Sequence, residues 1–70
     1  MKAPILVWDF YNSPKEFQEL SGHGGDEDWV AFVPDGAPDP TWAWEGTPFG
    51  CFSVEDHKVE GGRVLIGAHS

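Results

Sequence analysis

Apolar residues run almost unbroken from Ala3 to Tyr11, interrupted only by Asp9 among otherwise hydrophobic neighbours. At the two-residue period of a strand, Ile5, Val7 and Tyr11 fall on one face and Leu6, Trp8 and Phe10 on the other. Apolar residues on both faces predict a central strand, covered at least in part on each side. The period then changes. Asn12-Ser13-Pro14-Lys15-Glu16 reads as a helix start, with Ser13 as cap, Pro14 at the first helical position and Glu16 completing a capping box. Phe17 and Leu20, three apart, face the sheet from a short helix, which Gly22 ends and Gly24-Gly25 keep from continuing.

Asp28 to Pro34 alternates again, with Trp29, Ala31 and Val33 on one face and Val30 and Phe32 on the other. It predicts a second strand stopped by the turn Pro34-Asp35-Gly36. Residues 37–50 are irregular and hold Pro38, Pro40 and Pro48; within them Asp39 to Trp44 fits one helical turn, Asp39 capping and Pro40 first. Cys51 to Val59 and Arg63 to His69 predict a third and a fourth strand, joined by a hairpin at Glu60-Gly61-Gly62 whose glycines are both free to take positive φ. The order β-α-β-loop-β-β predicts an α+β fold: a small three- to four-stranded, mostly antiparallel sheet with one short helix on a face, forming a single domain over residues 1–70. The alternative is a small all-β barrel with the helix reduced to a turn. An open sheet leaves an edge, and edge pairing is a route to a homodimer.

Composition explains how so short a chain closes a core. A 70-residue domain buries a modest share of its surface, and the single cysteine, Cys51, excludes an internal disulfide. Four tryptophans, five phenylalanines and one tyrosine compensate, since each large ring buries roughly 150–250 Å². No run approaches the ~20 apolar residues of a membrane span, and the first residues lack the pattern of a signal peptide. A cytoplasmic protein is expected, which suits one unpaired cysteine.

Charge adds a direction. Twelve acidic residues face four basic ones, a net charge of −8, and no Lys or Arg lies between Lys15 and Lys58. That span holds Glu16, Glu19, Asp26, Glu27, Asp28, Asp35, Asp39, Glu45, Glu55 and Asp56. Such a surface repels phosphate backbones, so direct nucleic-acid binding is not expected. It attracts basic protein surfaces. The same charge also serves solubility or tolerance of high salt.

Candidate chemistry is sparse. His23 sits among Gly22, Gly24 and Gly25, followed by Asp26, Glu27 and Asp28. Carboxylates on a flexible loop suit hard cations, but Val30 stands where a calcium loop needs a third oxygen ligand; a solvated turn is the plainer reading. His57 and His69 are expected near one another across the hairpin, where with His23, Glu55 or Asp56 they would offer a zinc or nickel site. Without a paired-histidine or paired-cysteine motif, two surface histidines are the plainer account. Cys51 has acidic neighbours in Glu55 and Asp56, which suits a buried small hydrophobe better than an activated thiol. No cofactor motif is present, no carboxylate pair stands out for acid–base work, and the chain offers little room for a pocket of ~300 Å³ or more. An enzyme is not expected.

Trp42 and Trp44, flanked by Asp39 and Glu45, are the remaining signal. On a helical turn they point to roughly opposite sides and do not both enter one core. They serve either as anchors for a partner or as plugs for the sheet. The expected function is a small, acidic, non-enzymatic binding or inhibitor protein docking on a basic protein surface. One form is nucleic-acid mimicry of the kind found in mobile elements, with a nucleic-acid-processing enzyme as partner. The expected contacts are Asp26, Glu27, Asp28, Asp35, Asp39, Trp42, Trp44 and Glu45. A metal- or small-ligand-binding module, or a structural subunit of a larger assembly, is the alternative.

Overall fold

A computed structural model describes residues 3–22, 27–44 and 52–69. Four strands, β1 (Leu6–Asp9), β2 (Glu27–Pro34), β3 (Phe52–Val59) and β4 (Gly62–His69), form one antiparallel sheet in the order β1-β2-β4-β3. One short helix, α1 (Lys15–Gln18), continues into a 3-10 turn at Glu19–Ser21. This is a small α+β fold. The sheet is open, with β1 and β3 as its edges, so the barrel alternative does not hold.

Directly paired residues of antiparallel strands share a face, so the register sorts the side chains. On the face that α1 covers, Val30, Val64 and Ile66 join Phe10 in a core cluster, against which Trp8, Phe17, Leu20, Phe32 and Val59 pack. Phe17 stacks on Phe32 with centroids 5.8 Å apart and meets Trp8 at 6.0 Å. Phe17 and Leu20 thus face the sheet as their spacing predicts, and Gly22 ends the segment at φ 63°. On the opposite face Ala31, Val33, Leu65 and Ala43 form a second cluster with Ile5, Trp29, Ala37 and Val54 around it.

Three expectations fail locally. The first strand is an edge, not a central strand, and leaves Leu6 and Val7 about half exposed. The interior positions go to β2 and to β4, where consecutive Val64, Leu65 and Ile66 feed alternate faces and are all buried. Strand β1 also stops early, because Phe10 turns into the core. A 3-10 turn at Phe10–Asn12 carries it there, closed by the Ser13 hydroxyl donating to the Phe10 carbonyl at 2.6 Å. That bond takes Ser13 away from the capping box, which does not form; Pro14 precedes α1 instead. The Gln18 amide donates back to the carbonyls of Phe10 and Ser13, tying the short helix to the strand before it.

The hairpin is tighter than expected. Val59 pairs with Gly62, which leaves Glu60 and Gly61 as a two-residue loop. Only Gly61 takes positive φ there (85°). Gly62 is a strand residue, and a Cβ on it would strike the backbone of Val33 and Pro34 on β2.

Candidate docking face

The chain leaving β2 determines what the second face presents. Pro34 to Ala37 close a turn with Gly36 at φ 87° and the Ala37 N–H donating to the Pro34 carbonyl at 3.1 Å. The following residues fold back over the sheet. Pro40 and Ala43 are buried, and Thr41–Ala43 make the expected helical turn as a 3-10 turn. Asp39 does not cap it with its side chain. The carboxylate instead accepts a bond from the Arg63 Nη2 at 3.0 Å, while Arg63 Nη1 donates to Asp56 at 3.2 Å. Arg63 therefore ties the returning segment to the edge strand β3.

The same geometry sets how far the two tryptophans are buried. The segment folds back, but the plug is Ala43, the small residue between them. Trp42 rests on Trp29 with ring centroids 5.4 Å apart, and Trp42 and Trp44 remain 45% and 48% exposed. Trp29 lies flat across β4 at Gly67, where any Cβ would fall inside the indole. A glycine on an interior strand thus sets the height at which Trp29, and Trp42 above it, sit.

At the other end of this face an open groove of about 510 Å³ runs between the Pro34–Ala37 turn and the ends of β3 and β4. The expectation that so short a chain leaves little room for such a volume is corrected here: the returning segment and the sheet form its walls between them. Val33, Pro34 and Ala37 give it apolar surface; Asp35, Asp39 and Asp56 bring carboxylates, and Lys58 and Arg63 bring cations. Lys58 and Arg63 stand directly opposite on the ladder, a like-charge pairing that is unfavourable by itself and that Asp39 and Asp56 offset.

The expected contact residues divide. Asp35, Asp39, Trp42 and Trp44 lie on this returning segment and are exposed. Asp28 is exposed where a register irregularity interrupts the β2–β4 pairing. Glu27, expected at the surface, is buried at 6% exposure, and neither carboxylate oxygen has a hydrogen-bond partner among the described residues. Asp26 and Glu45 lie outside the described residues, as do His23 and Cys51, and the side chain of His69 is likewise not described. His57 and His69 are not opposite one another: His57 pairs with Val64 and His69 with Phe52. Five ladder steps separate them, about 17 Å at strand spacing. His57 Nε2 lies 3.2 Å from a Glu55 oxygen on its own strand. Among the described residues no three His, Cys, Asp or Glu side chains gather where they would hold a metal ion.

Arg63 and Asp56 were not expected at this face. The signal was present in the hairpin: a two-residue loop at Glu60-Gly61 puts Lys58 opposite Arg63, and two facing cations require carboxylates nearby. Among the described residues no helix is long and apolar enough to cross a membrane. Comparison with protein-family models, with curated proteins and with solved structures found no match.

Proposed function

We propose that this chain is a non-enzymatic binding or inhibitor protein of the cytoplasm that docks its acidic, tryptophan-bearing face on a basic protein surface. The observation that carries the reading is the exposure of Trp42 and Trp44 on one short turn, each residue nearly half exposed to solvent. Exposed tryptophan is costly to leave in water and is the residue type most often central to an interface. The charge around it supports a basic partner. Exposed Asp35 and Asp39 belong to the same returning segment, and Arg63, on the strand beneath, is already held between two carboxylates.

A nucleic-acid-processing enzyme is the partner class that fits best, with carboxylates standing where phosphates would. Its basic groove is built to receive a row of negative charge, and the −8 charge of this chain speeds encounter with it. The test is capture of partners from the native host by the tagged chain, washed at low and then at high salt. A nucleic-acid enzyme released by high salt and competed by DNA supports the reading. A partner that survives ~1 M salt, where the Debye length is only ~3 Å, refutes the electrostatic part and leaves the tryptophans as structural anchors. Trp42→Ala and Trp44→Ala should each weaken capture at least tenfold while the chain stays folded.

A further inference from the structure

We propose that β3 is the edge through which two copies of this chain pair, extending the sheet across a two-fold axis at His57. The sheet leaves two open edges, β1 and β3. Strand β1 spans four residues and runs straight into the 3-10 turn at Phe10–Asn12, so it offers few backbone groups to a neighbour. Strand β3 spans eight residues, pairs with β4 without a register shift and contains no proline. Short strands, bulges and prolines keep an edge from pairing, and β3 has none of them. Its remaining guard is charge, at Glu55, Asp56 and Lys58, and the order of those charges selects one arrangement.

The two-residue loop at Glu60-Gly61 makes its flanking pair, Val59 and Gly62, a hydrogen-bonded one. By alternation Val59, His57 and Glu55 turn their backbone groups to β4, while Lys58, Asp56 and Val54 turn theirs to the open edge. A second copy that continues the sheet is related by a two-fold axis perpendicular to it. Opposed residues share a face, so the axis passes through a residue of β3. An axis near either end leaves most of the strand unpaired. An axis at Glu55, Asp56 or Lys58 sets that residue against its own copy, like charge on like. An axis at His57 sets Asp56 opposite Lys58 of the second copy, once on each side, with Glu55 opposite Val59. Lys58 supplies a second observation. It is exposed, stands opposite Arg63 and has no carboxylate at ion-pair distance among the described residues, since Asp39 and Asp56 both lie on Arg63. Asp56 of the second copy provides that counterion. The net charge of −8 repels copies at long range. At about 0.15 M salt that repulsion is screened beyond ~8 Å, which leaves the contact pairs to decide. The perpendicular axis also keeps the two faces that carry Trp42 and Trp44 on one side of the joined sheet.

The test is analytical ultracentrifugation of the full chain at about 0.15 M salt under reducing conditions, with disulfide trapping to read the register. The wild-type chain should dimerise below about 1 mM. Lys58→Asp and Asp56→Lys each set like charges together on both sides of the axis, and each should weaken self-association about tenfold or more. Mixed in equal amounts, the two variants should associate with one another, because every such pair is then opposite in charge. In a Cys51→Ser background, His57→Cys should crosslink to a covalent dimer on mild oxidation. A non-hydrogen-bonded pair holds its Cα atoms about 4.5 Å apart, inside disulfide reach. Glu55→Cys in the same background should crosslink about tenfold more slowly, because its two copies then lie roughly 13 Å apart along the ladder. The cysteine variants leave Asp56, Lys58 and Arg63 in place, so they read the register even where a charge variant misfolds. A wild-type chain that stays monomeric to about 1 mM, a dimer indifferent to Lys58→Asp, folded variants that do not associate when mixed, or faster crosslinking at 55 than at 57 overturns the inference.

Discussion

Glu27 offers the sharpest test of the packing argument, through its replacement by methionine. The carboxylate sits at the start of β2, 6% exposed, with both oxygens unpartnered among the described residues. Its register partner is Ala68 on β4. Two costs then fall on the folded state: the group loses its water, and no described residue replaces the hydrogen bonds. An unsatisfied buried polar group costs about 1–3 kcal/mol, and more when it carries charge. Substituting buried ionic groups by apolar residues of similar volume has stabilised proteins by about 1–4 kcal/mol. Methionine has nearly the length of glutamate and a flexible thioether, so it fills the same space with little strain. Glu27→Met should therefore stabilise the chain by about 2 kcal/mol. For a domain of this size each 1 kcal/mol moves Tm by roughly 4–8 °C, so a rise of about 8–16 °C is expected. Glu27→Gln removes the charge but leaves a polar group unsatisfied, and should recover about half of the gain. Urea unfolding at neutral pH, followed by tryptophan fluorescence, measures both. A loss of 1 kcal/mol or more in Glu27→Met with no change in m-value would refute the reasoning, because it would mean that the carboxylate is held by a group that stabilises it.

The remaining predictions concern the glycines and the ion bridge. Gly67→Ala should cost about 1–3 kcal/mol and change the near-ultraviolet circular dichroism, since the new methyl displaces Trp29 from its seat and Trp42 with it. Gly62→Ala should cost about 3 kcal/mol and Gly61→Ala only about 1 kcal/mol, although Gly61 is the one with positive φ, because the Cβ at 62 meets backbone and the Cβ at 61 meets open space; thermal unfolding of the two variants gives the order. Arg63→Gln should lower stability by no more than about 1 kcal/mol, because both ion pairs are partly solvated, yet it should speed hydrogen exchange of the amides of Ala43 and Trp44 by releasing the returning segment.

The parts of the fold that follow from local pattern were legible in the sequence. Alternation around Trp29, Ala31 and Val33 marks β2, the glycines mark the hairpin, and Phe17 with Leu20 marks the face of α1. The position of a strand within the sheet was not legible. The apolar run at the start of the chain looks more buried than Val64-Leu65-Ile66, yet the latter takes the centre, because the hairpin brings β4 against β2 as one unit. Ser13 failed as a cap for a similar reason: the nearer carbonyl of Phe10 claims its hydroxyl once Phe10 turns inward. The face itself was half legible. The tryptophans and the carboxylates at 35 and 39 could be named from their types and spacing. That Ala43 rather than a ring would plug the sheet, and that Arg63 would bind Asp39 across 24 residues of chain, depends on tertiary contacts with no local signature.

The strand order has a consequence for how the molecule comes into being. Strand β4 is the last of the four strands to be made and yet lies between β2 and β3, contributing Val64 and Ile66 to one core and Leu65 to the other. Until it is made, β2 has only the four-residue β1 beside it, and Trp29 has no Gly67 to lie on. Neither core can close until β4 is made, because each takes residues from it, so the aromatic residues of the nascent chain stay exposed until then. Its net charge of −8 keeps such unfinished chains apart from one another.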